Sequence, residues 1–439
     1  MADSPLAARI VAAPELDCLM ACPGCDLLLE EVPLEPGQVA RCPRCDTRLR
    51  LPRRNTVSNT LAMSASGLLL YLPAILLPLM TLDTIGMRES ASIVDGVIGF
   101  YRQGYLLVAL IVLLTSVLFP LVKLSLIFAI SVLLKLGRFP RGTARGFRLF
   151  CHLDEWGMVE VYLIGILVTI IKIYGMAHIT YGTGFFCFIG LVIATVGITL
   201  VLDEHVFWRM IEGRGGEDGA AHRPSCRGRH HPLAGRTALS AGLVQCHDCH
   251  KLMPWVEAAP DEIVLCPRCG ARLHPRKTDS LARTWALVAT SLILFVPANV
   301  LPIMQVETFG TPENSTIMDG IIYFFKEGSY GIGVVILTAS ILVPLFKIVG
   351  MTVILLSIRY RWKSWLRHKT WMFHFIEFIG RWSMLDIYVI AMLGVLINFG
   401  LLSAIHPAPA ATYFAAVVLC TMFAAISFDS RILWDHCAA

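Results

Sequence analysis

The sequence predicts an all-α integral membrane protein built from two tandem four-helix transmembrane units in parallel repeat, eight spans in total. A small cytoplasmic four-cysteine zinc ribbon is expected before each unit. Composition, an internal repeat and apolar runs of spanning length lead to this prediction. Of the 439 residues, 56% are hydrophobic and only 16% are charged, against roughly 25% charged residues in soluble domains. This composition excludes an ordinary soluble enzyme.

The repeat is carried by residues that recur at a constant distance along the chain. The pairs Cys22-Pro-Gly-Cys25 and Cys42-Pro-Arg-Cys45 return 224 residues later as Cys246-His-Asp-Cys249 and Cys266-Pro-Arg-Cys269. At the same distance Asp95 returns as Asp319 and Lys123 as Lys347; after a slip of two residues, Tyr162 returns as Tyr388 and Asp203 as Asp429. A repeat of this length indicates two copies of one structural unit.

The repeat sets the order of the segments. We expect a flexible N-terminus (1–20), zinc ribbon 1 (21–55), transmembrane unit 1 (56–208), a polar linker (209–240), zinc ribbon 2 (241–278) and transmembrane unit 2 (279–435). The expected spans are 61–82, 105–134, 157–177 and 184–202 in unit 1, and 284–304, 330–358, 383–402 and 410–428 in unit 2. Six of them are close to the ~20 residues that cross ~30 Å of hydrocarbon, and the second span of each unit is long enough to tilt. Four crossings return the chain to its starting side, so both units have the same orientation.

The cysteine modules predict two structural zinc ions. Each module has two Cys-x-x-Cys pairs sixteen residues apart, which is the spacing of a zinc ribbon. The expected ligands are Cys22, Cys25, Cys42, Cys45, Cys246, Cys249, Cys266 and Cys269. Four thiolates close the coordination sphere, so the metal is expected to hold the fold rather than to catalyse. A thioredoxin-like redox pair is the weaker interpretation, and no nucleic-acid binding is expected, because both modules lack stacking aromatic residues apart from Trp255.

The distribution of Lys and Arg predicts the orientation in the membrane. Both cysteine modules and the loop after the second span of each unit are rich in these residues. The loops 83–104, 178–183, 305–329 and 403–409 carry only Arg88, Arg102 and Lys326. We therefore expect the ribbons and both termini in the cytoplasm, and we expect loops 83–104 and 305–329 to face a partner on the other side.

Ionisable residues within apolar spans are candidates for function, because a charge in hydrocarbon is expensive. The candidates in unit 2 are Lys347, Ser383, Asp386 and Asp429, and those in unit 1 are Lys123, Glu160, Lys172 and Asp203. Pairing of Lys347 with Asp386 would relieve two desolvation penalties and create a titratable pair. The alternative is an ion pair that only fixes the helix register, or side chains that extend to the membrane interface.

Together these features resemble the paraquat-inducible protein A family. The resemblance is carried by the paired Cys-Pro-x-Cys ribbons, the doubled four-span unit, the run Gly380-Arg-Trp-Ser-Met-Leu-Asp-Ile-Tyr388 and the ending Asp429-Ser-Arg-Ile-Leu-Trp-Asp435. It extends over about residues 20–436. In unit 1 the corresponding run Glu155-Trp-Gly-Met-Val-Glu-Val-Tyr162 departs from the family pattern, which favours unit 2 as the working half.

The resemblance implies a multi-pass protein of the Gram-negative inner membrane with a periplasmic partner that carries MCE (mammalian cell entry) domains. It implies movement of phospholipid or another membrane lipid between the inner and outer membranes, and we expect Lys347 and Asp386 to couple proton movement to it. No Gly-x-x-x-x-Gly-Lys-Ser/Thr loop occurs, so ATP is not expected to drive the protein directly, and it is not expected to be an enzyme. An ion channel or small-solute transporter without an MCE partner is the alternative function. A membrane redox protein is less favoured, because no Cys-x-x-Cys-His haem motif occurs.

Overall fold

Helices dominate the fold in the computed structural model. It describes residues 16, 18–32, 34–35, 37–84, 87–140, 142–154, 156–173, 178–213, 231–256, 263–308, 311–328, 330–396 and 403–435. Within these residues, seven helical segments are long and apolar enough to cross a membrane: Thr56–Leu76, Leu106–Lys135, Thr183–Val201, Ser280–Val300, Gly333–Arg359, Leu366–Leu396 and Pro409–Ser427.

The first half of the chain contains seven helices among the described residues. They are α1 (Thr56–Leu76), α2 (Ile93–Arg102), α3 (Leu106–Lys135), α4 (Thr143–Asp154), α5 (Val159–Ile173), α6 (Thr183–Val201) and α7 (Glu204–Ile211). The expected span 157–177 corresponds to α5, which has 15 described residues and is not among the seven spanning segments. Residues 174–177 of that expected span lie outside the described residues.

The second half presents the same order of helices. They are α8 (Ser280–Val300), α9 (Ile317–Lys326), α10 (330–359), α11 (Leu366–Gly380), α12 (Leu385–Leu396), α13 (Pro409–Ser427) and α14 (Ile432–Asp435). A short 3-10 turn, Arg381–Met384, joins α11 to α12. The spanning segment Leu366–Leu396 therefore begins 17 residues before the expected start of that span at 383.

The long helices α3 and α10 each contain one π-helical turn, Leu113–Leu118 and Leu337–Leu342. A proline follows each turn, Pro120 in α3 and Pro344 in α10. Proline has no N–H to donate and its ring displaces the preceding carbonyl, so the backbone widens locally. Thr115 of α3 and Ser340 of α10 lie within these turns, and both are buried.

The loops that the sequence analysis assigns to the outer side form two small sheets. In one, β5 (Met80–Thr84) pairs antiparallel with β6 (Met87–Ala91) and with β7 (His178–Tyr181). In the other, β10 (Met304–Thr308) pairs with β11 (Thr311–Ser315) and β12 (Ser403–Pro407). The sheets lie at the opposite end of the helices from the cysteine modules, and we name these two ends the sheet end and the ribbon end.

The two halves of the membrane domain meet through α5 and α12. Tyr162 and Tyr388 are both buried and their ring centroids are 4.9 Å apart. The Tyr388 hydroxyl donates to Thr115 Oγ1 at 2.8 Å, beside the π-helical turn of α3. Gly165 permits this close approach, because a Cβ there would lie 3.1 Å from Cβ of Tyr388. The main core of the membrane domain therefore includes the junction between the two halves.

Candidate functional site

Each cysteine module folds as two tight knuckles on short antiparallel strands. In the first module the strands are β1 (Leu19–Ala21) with β2 (Leu28–Glu30), and β3 (Ala40–Arg41) with β4 (Arg48–Arg50); in the second, β8 (Leu243–Gln245) pairs with β9 (Leu252–Pro254). Every knuckle ends in a residue with positive φ: Asp26, Asp46, His250 and Gly270. Such a residue turns the chain back, so that both cysteines of a pair point to one centre.

The eight cysteines form two buried clusters that fit metal ions. The sulfurs of Cys22, Cys25, Cys42 and Cys45 lie within 4.8 Å of one another, and those of Cys246, Cys249, Cys266 and Cys269 do the same. All eight are free thiols. Four buried sulfurs at this spacing match tetrahedral thiolate coordination. The clusters predicted from the spacing are thus assembled in the structure.

The first module is larger than the sequence analysis expects. Strand β1 begins at Leu19, within the segment assigned to the flexible N-terminus. Part of the expected linker also packs on this module, because Leu28 N donates to Arg236 O at 2.8 Å and Leu27 forms a bridge with Thr237. Residues 209–211 of the expected linker belong to α7, and residues 214–230 lie outside the described residues.

A charged network joins both modules to the end of the chain, and we name it the ribbon junction: Asp26, His247, Arg276, Asp429, Arg431 and Asp435. Arg276 contacts Asp26 at 2.8 Å and Asp435 at 2.6 Å. Arg431 contacts both carboxylate oxygens of Asp429 at 3.0 Å and donates to the ring of His247. Asp429 is therefore placed in the ribbon junction by its contacts, outside the spanning helix α13.

The charges of the ribbon junction stabilise one another. Burial alone raises the pKa of Asp429, but hydrogen bonds and the charge of Arg431 lower the pKa to about 2. Burial also disfavours the charged form of Arg276 and by itself lowers its pKa, but the carboxylates of Asp435 and Asp26 raise the pKa of Arg276 overall. Both groups are charged at neutral pH. The junction connects the first module to unit 2 through Asp26, which immediately follows Cys25.

We expect the substitution R276M to destabilise this junction, because it leaves Asp26, whose side chain is 2% exposed, without its closest cation. Removal of one partner from a buried pair costs about 3–5 kcal/mol, and about 2–3 kcal/mol is expected here because Arg276 retains some solvent contact. Thermal unfolding of the purified protein in detergent measures the effect. R272M is the matched control, since Arg272 is exposed; an equal loss in both variants would contradict the role of the junction.

Polar side chains are also placed inside the spanning helices. Lys347 of α10 is 1% exposed, and its Nζ lies 3.4 Å from Oγ of Ser383. Asp386 lies in the first turn of α12, one helical turn after Ser383. Ser340 is also buried and lies in the same helix as Lys347, two turns before it. The structure thus brings Lys347 and Ser383 together, in the part of unit 2 where Asp386 also lies.

The corresponding lysine of unit 1 has a different environment. Lys123 is 4% exposed and forms an ion pair with Asp154, a residue that the sequence analysis does not single out. Glu160 lies in the first turn of α5. Asp203 caps α7, accepting from the backbone N–H of His205 at 3.0 Å. Lys172 lies in α5, and its side chain is outside those described.

Asp154 could have been found from its position. It ends α4 (Thr143–Asp154), and at the repeat distance of 226 residues it corresponds to Gly380, which ends α11. Unit 2 therefore has no carboxylate at this place, and Lys347 contacts a hydroxyl instead. The two units differ in the partner that they give to the same lysine.

These features define a multi-pass membrane protein with two four-cysteine modules, each able to hold a metal ion, at one end of its helices. The sequence model of the paraquat-inducible protein A family matches this chain twice, over residues 57–212 and 281–438. The chain belongs to that family.

Curated relatives of the chain are similar over nearly its whole length. Intermembrane transport protein PqiA of Escherichia coli (strain K12) is 32% identical over 417 residues, which are 94% of this chain and 95% of the relative. Lipophilic envelope-spanning tunnel protein A of the same strain is 33% identical over 414 residues, 94% of this chain and 90% of the relative. A probable intermembrane transport protein of Haemophilus influenzae is 29% identical over 422 residues. No solved structure matches the chain significantly.

Proposed function

We propose that this chain is the inner-membrane subunit of an MCE-type lipid transport system, which moves phospholipids between the inner and outer membranes of a Gram-negative cell. One observation carries the proposal: the chain matches proteins named for intermembrane transport and for an envelope-spanning tunnel over 94% of its length. The periplasmic MCE-domain protein is the proposed partner. The chain acts as a transporter subunit and not as an enzyme.

The proposed topology has eight spans in two tandem four-span units, with α5 as the span additional to the seven spanning segments. The excess of Lys and Arg in the cysteine modules and in the loops after α3 and α10 supports a cytoplasmic ribbon end. Both termini are then cytoplasmic, and the sheet end faces the periplasmic partner.

The proposed metal is zinc, one structural ion in each module. Thiolate ligands select zinc or iron among common metals, and a closed four-sulfur site beside short strands is typical of zinc ribbons. Bound zinc would supply folding free energy to modules too small to bury a core of their own.

The proposed coupling site is Lys347 with Ser383 and Asp386 in unit 2, with Asp429 as a further candidate at the ribbon end. Support comes from the burial of Lys347 and from its contact with the Ser383 hydroxyl rather than with a fixed carboxylate such as Asp154. A lysine without a dedicated ion pair exchanges its proton more readily than one held in a salt bridge. Lys123, Glu160, Lys172 and Asp203 form the corresponding set in unit 1.

Purification from native membranes in a mild detergent, followed by mass spectrometry of the co-purifying molecules, tests the proposed function. We expect a stoichiometric MCE-domain protein and bound phospholipid. A chain that purifies alone, without a partner, and supports steady ion flux in liposomes would favour the ion channel or small-solute transporter. Iron in place of zinc, or cysteines that oxidise reversibly with activity, would favour the redox protein.

A further inference from the structure

A cleft of about 300 Å³ lies where the two cysteine modules meet unit 1. Arg48 of β4 and Arg53, from the segment before α1, line it together with Asp203, which caps α7, and Glu204, the first residue of α7. Thr199, in the last turn of α6, also lines the cleft. Since α6 is of spanning length, the cleft is level with the lipid headgroups of the leaflet that faces the ribbons.

Asp203 in this cleft corresponds to Asp429 of unit 2, and the surroundings of the two carboxylates differ. In unit 2, the Asp429 N–H donates to Ser280 Oγ at 3.0 Å, and Arg431 neutralises the Asp429 carboxylate. In unit 1, Asp203 N makes the same contact with Thr56 Oγ1, also at 3.0 Å. The residue that corresponds to Arg431 is His205. Unit 1 therefore has the same carboxylate as unit 2, but a histidine stands in place of the arginine beside it.

The replacement leaves the carboxylate of Asp203 incompletely satisfied. Its Oδ1 accepts two backbone N–H groups, while its buried Oδ2 has no hydrogen-bond partner among the described residues. Burial, together with Arg50 and Arg209, lowers the pKa of His205 to about 4. The imidazole is thus neutral at pH 7 and supplies no positive charge to Asp203.

The cations of the cleft are also available to a ligand. Neither Arg48 nor Arg53 has an ion-pair partner in the described parts of the chain, whereas the third arginine of the cleft, Arg50, is paired with Glu31. Glu204 adds a second carboxyl group next to Asp203. Desolvation and the charges of Asp154 and Asp203 raise the pKa of Glu204 to about 7, so a cation bound beside it would stabilise its charged form. The ligand that complements this arrangement carries one negative group for the arginines and one positive group for the carboxylates.

We propose that this cleft binds the headgroup of a zwitterionic aminophospholipid, with its phosphodiester on Arg48 and Arg53 and its primary ammonium on Glu204, in the negative potential of Asp203. Guanidinium groups bind phosphate oxygens with two parallel hydrogen bonds. A primary ammonium can donate to a carboxylate, which a quaternary ammonium cannot. The site lies in unit 1, away from Lys347, and lipid binding there does not depend on the proposed transport.

Native mass spectrometry of the delipidated full chain in detergent tests the proposal, with phosphatidylethanolamine, phosphatidylglycerol and phosphatidylcholine of equal acyl chains as probes. We expect phosphatidylethanolamine to bind most tightly. The double variant R48A/R53A is expected to weaken its binding about tenfold, and E204Q to remove its advantage over phosphatidylglycerol. R54A is the matched control, because Arg54 is an exposed neighbour that does not line the cleft.

Equal weakening by R54A and by R48A/R53A would overturn the proposal, because it would show unspecific attraction between basic residues and lipid. Phosphatidylglycerol bound as tightly as phosphatidylethanolamine would overturn it too. Soluble glycerophosphoethanolamine distinguishes a soluble ligand from a membrane lipid. If it displaces phosphatidylethanolamine at concentrations similar to that of the lipid, the cleft binds a soluble ligand. If it does not, the cleft binds a membrane lipid. Two metal ions per chain in each variant confirm that the ribbons remain folded, so a binding loss is then local to the cleft.

Discussion

Lipid transfer is expected to fall to background in the variant K347M, while the protein remains folded. Lys347 is the fully buried cation of α10, and its contact with Ser383 involves no carboxylate. Methionine has a similar length and no charge to desolvate, so thermal stability is expected to stay equal or to rise. Loss of activity without loss of stability would identify a functional lysine, since removal of a purely structural lysine would lower the stability as well.

K123M is the matched control for this variant. Lys123 occupies the corresponding place in unit 1, but it is paired with Asp154. Removal of Lys123 leaves that carboxylate without its cation, so K123M is expected to lower stability more than K347M does. D386N and S383A are expected to reduce transfer as K347M does. Full transfer activity in K347M and D386N would contradict the proposed coupling.

The second large effect is expected from the metal ligands. The variant C25S is expected to reduce bound zinc from two ions to one per chain and to unfold the first module. Apparent binding free energies of structural zinc are about 10–16 kcal/mol, far more than so small a module gains from its own core. Zinc is measured by elemental analysis against protein concentration, and ribbon folding by limited proteolysis.

Loss of the first ribbon is also expected to affect unit 2. Asp26 follows Cys25 directly and contacts Arg276, which in turn contacts Asp435. Arg44 of the same ribbon lies 4.6 Å from the ring of Trp434. C25S is therefore expected to expose the C-terminal segment to protease. C151S is the control, because Cys151 lies outside both clusters; zinc loss in C151S, or two retained zinc ions in C25S, would contradict this account.

The cysteine clusters are the most predictable part of the site, because their signal is local. Four cysteines at fixed spacing determine the knuckles almost without reference to the rest of the chain. The burial of Lys347 was equally readable, since a lysine inside an apolar run has no way to reach water easily. Both predictions depend on residues within one segment.

Contacts between distant segments were harder to predict. Strand β7 pairs with β5, so that Thr180 Oγ1 donates to Thr81 O at 3.2 Å across almost one hundred residues. Strands of four or five residues carry little periodic signal. The π-helical turns were missed for a related reason, because proline predicts a break in the helix but not how the backbone accommodates it.

The ribbon junction depends on the fold even more strongly. Its members come from both cysteine modules and from the end of the chain, and no spacing connects Asp26 with Arg276 or Asp435. The sequence analysis assigns Asp429 to the polar residues of the spans because it follows an apolar run. Its contacts with Arg431 and Lys277 N place it beside the ribbons, where short polar side chains cap the helix ends.

Reconstituted lipid transfer tests the central claim most directly. The chain is placed in donor liposomes with labelled phospholipid, the MCE-domain partner is added, and label is followed into acceptor vesicles. The account predicts transfer that requires both proteins, rises with an imposed proton gradient and is absent with K347M. Transfer that is independent of the chain, or a steady ion current through the chain alone without lipid movement, would contradict it.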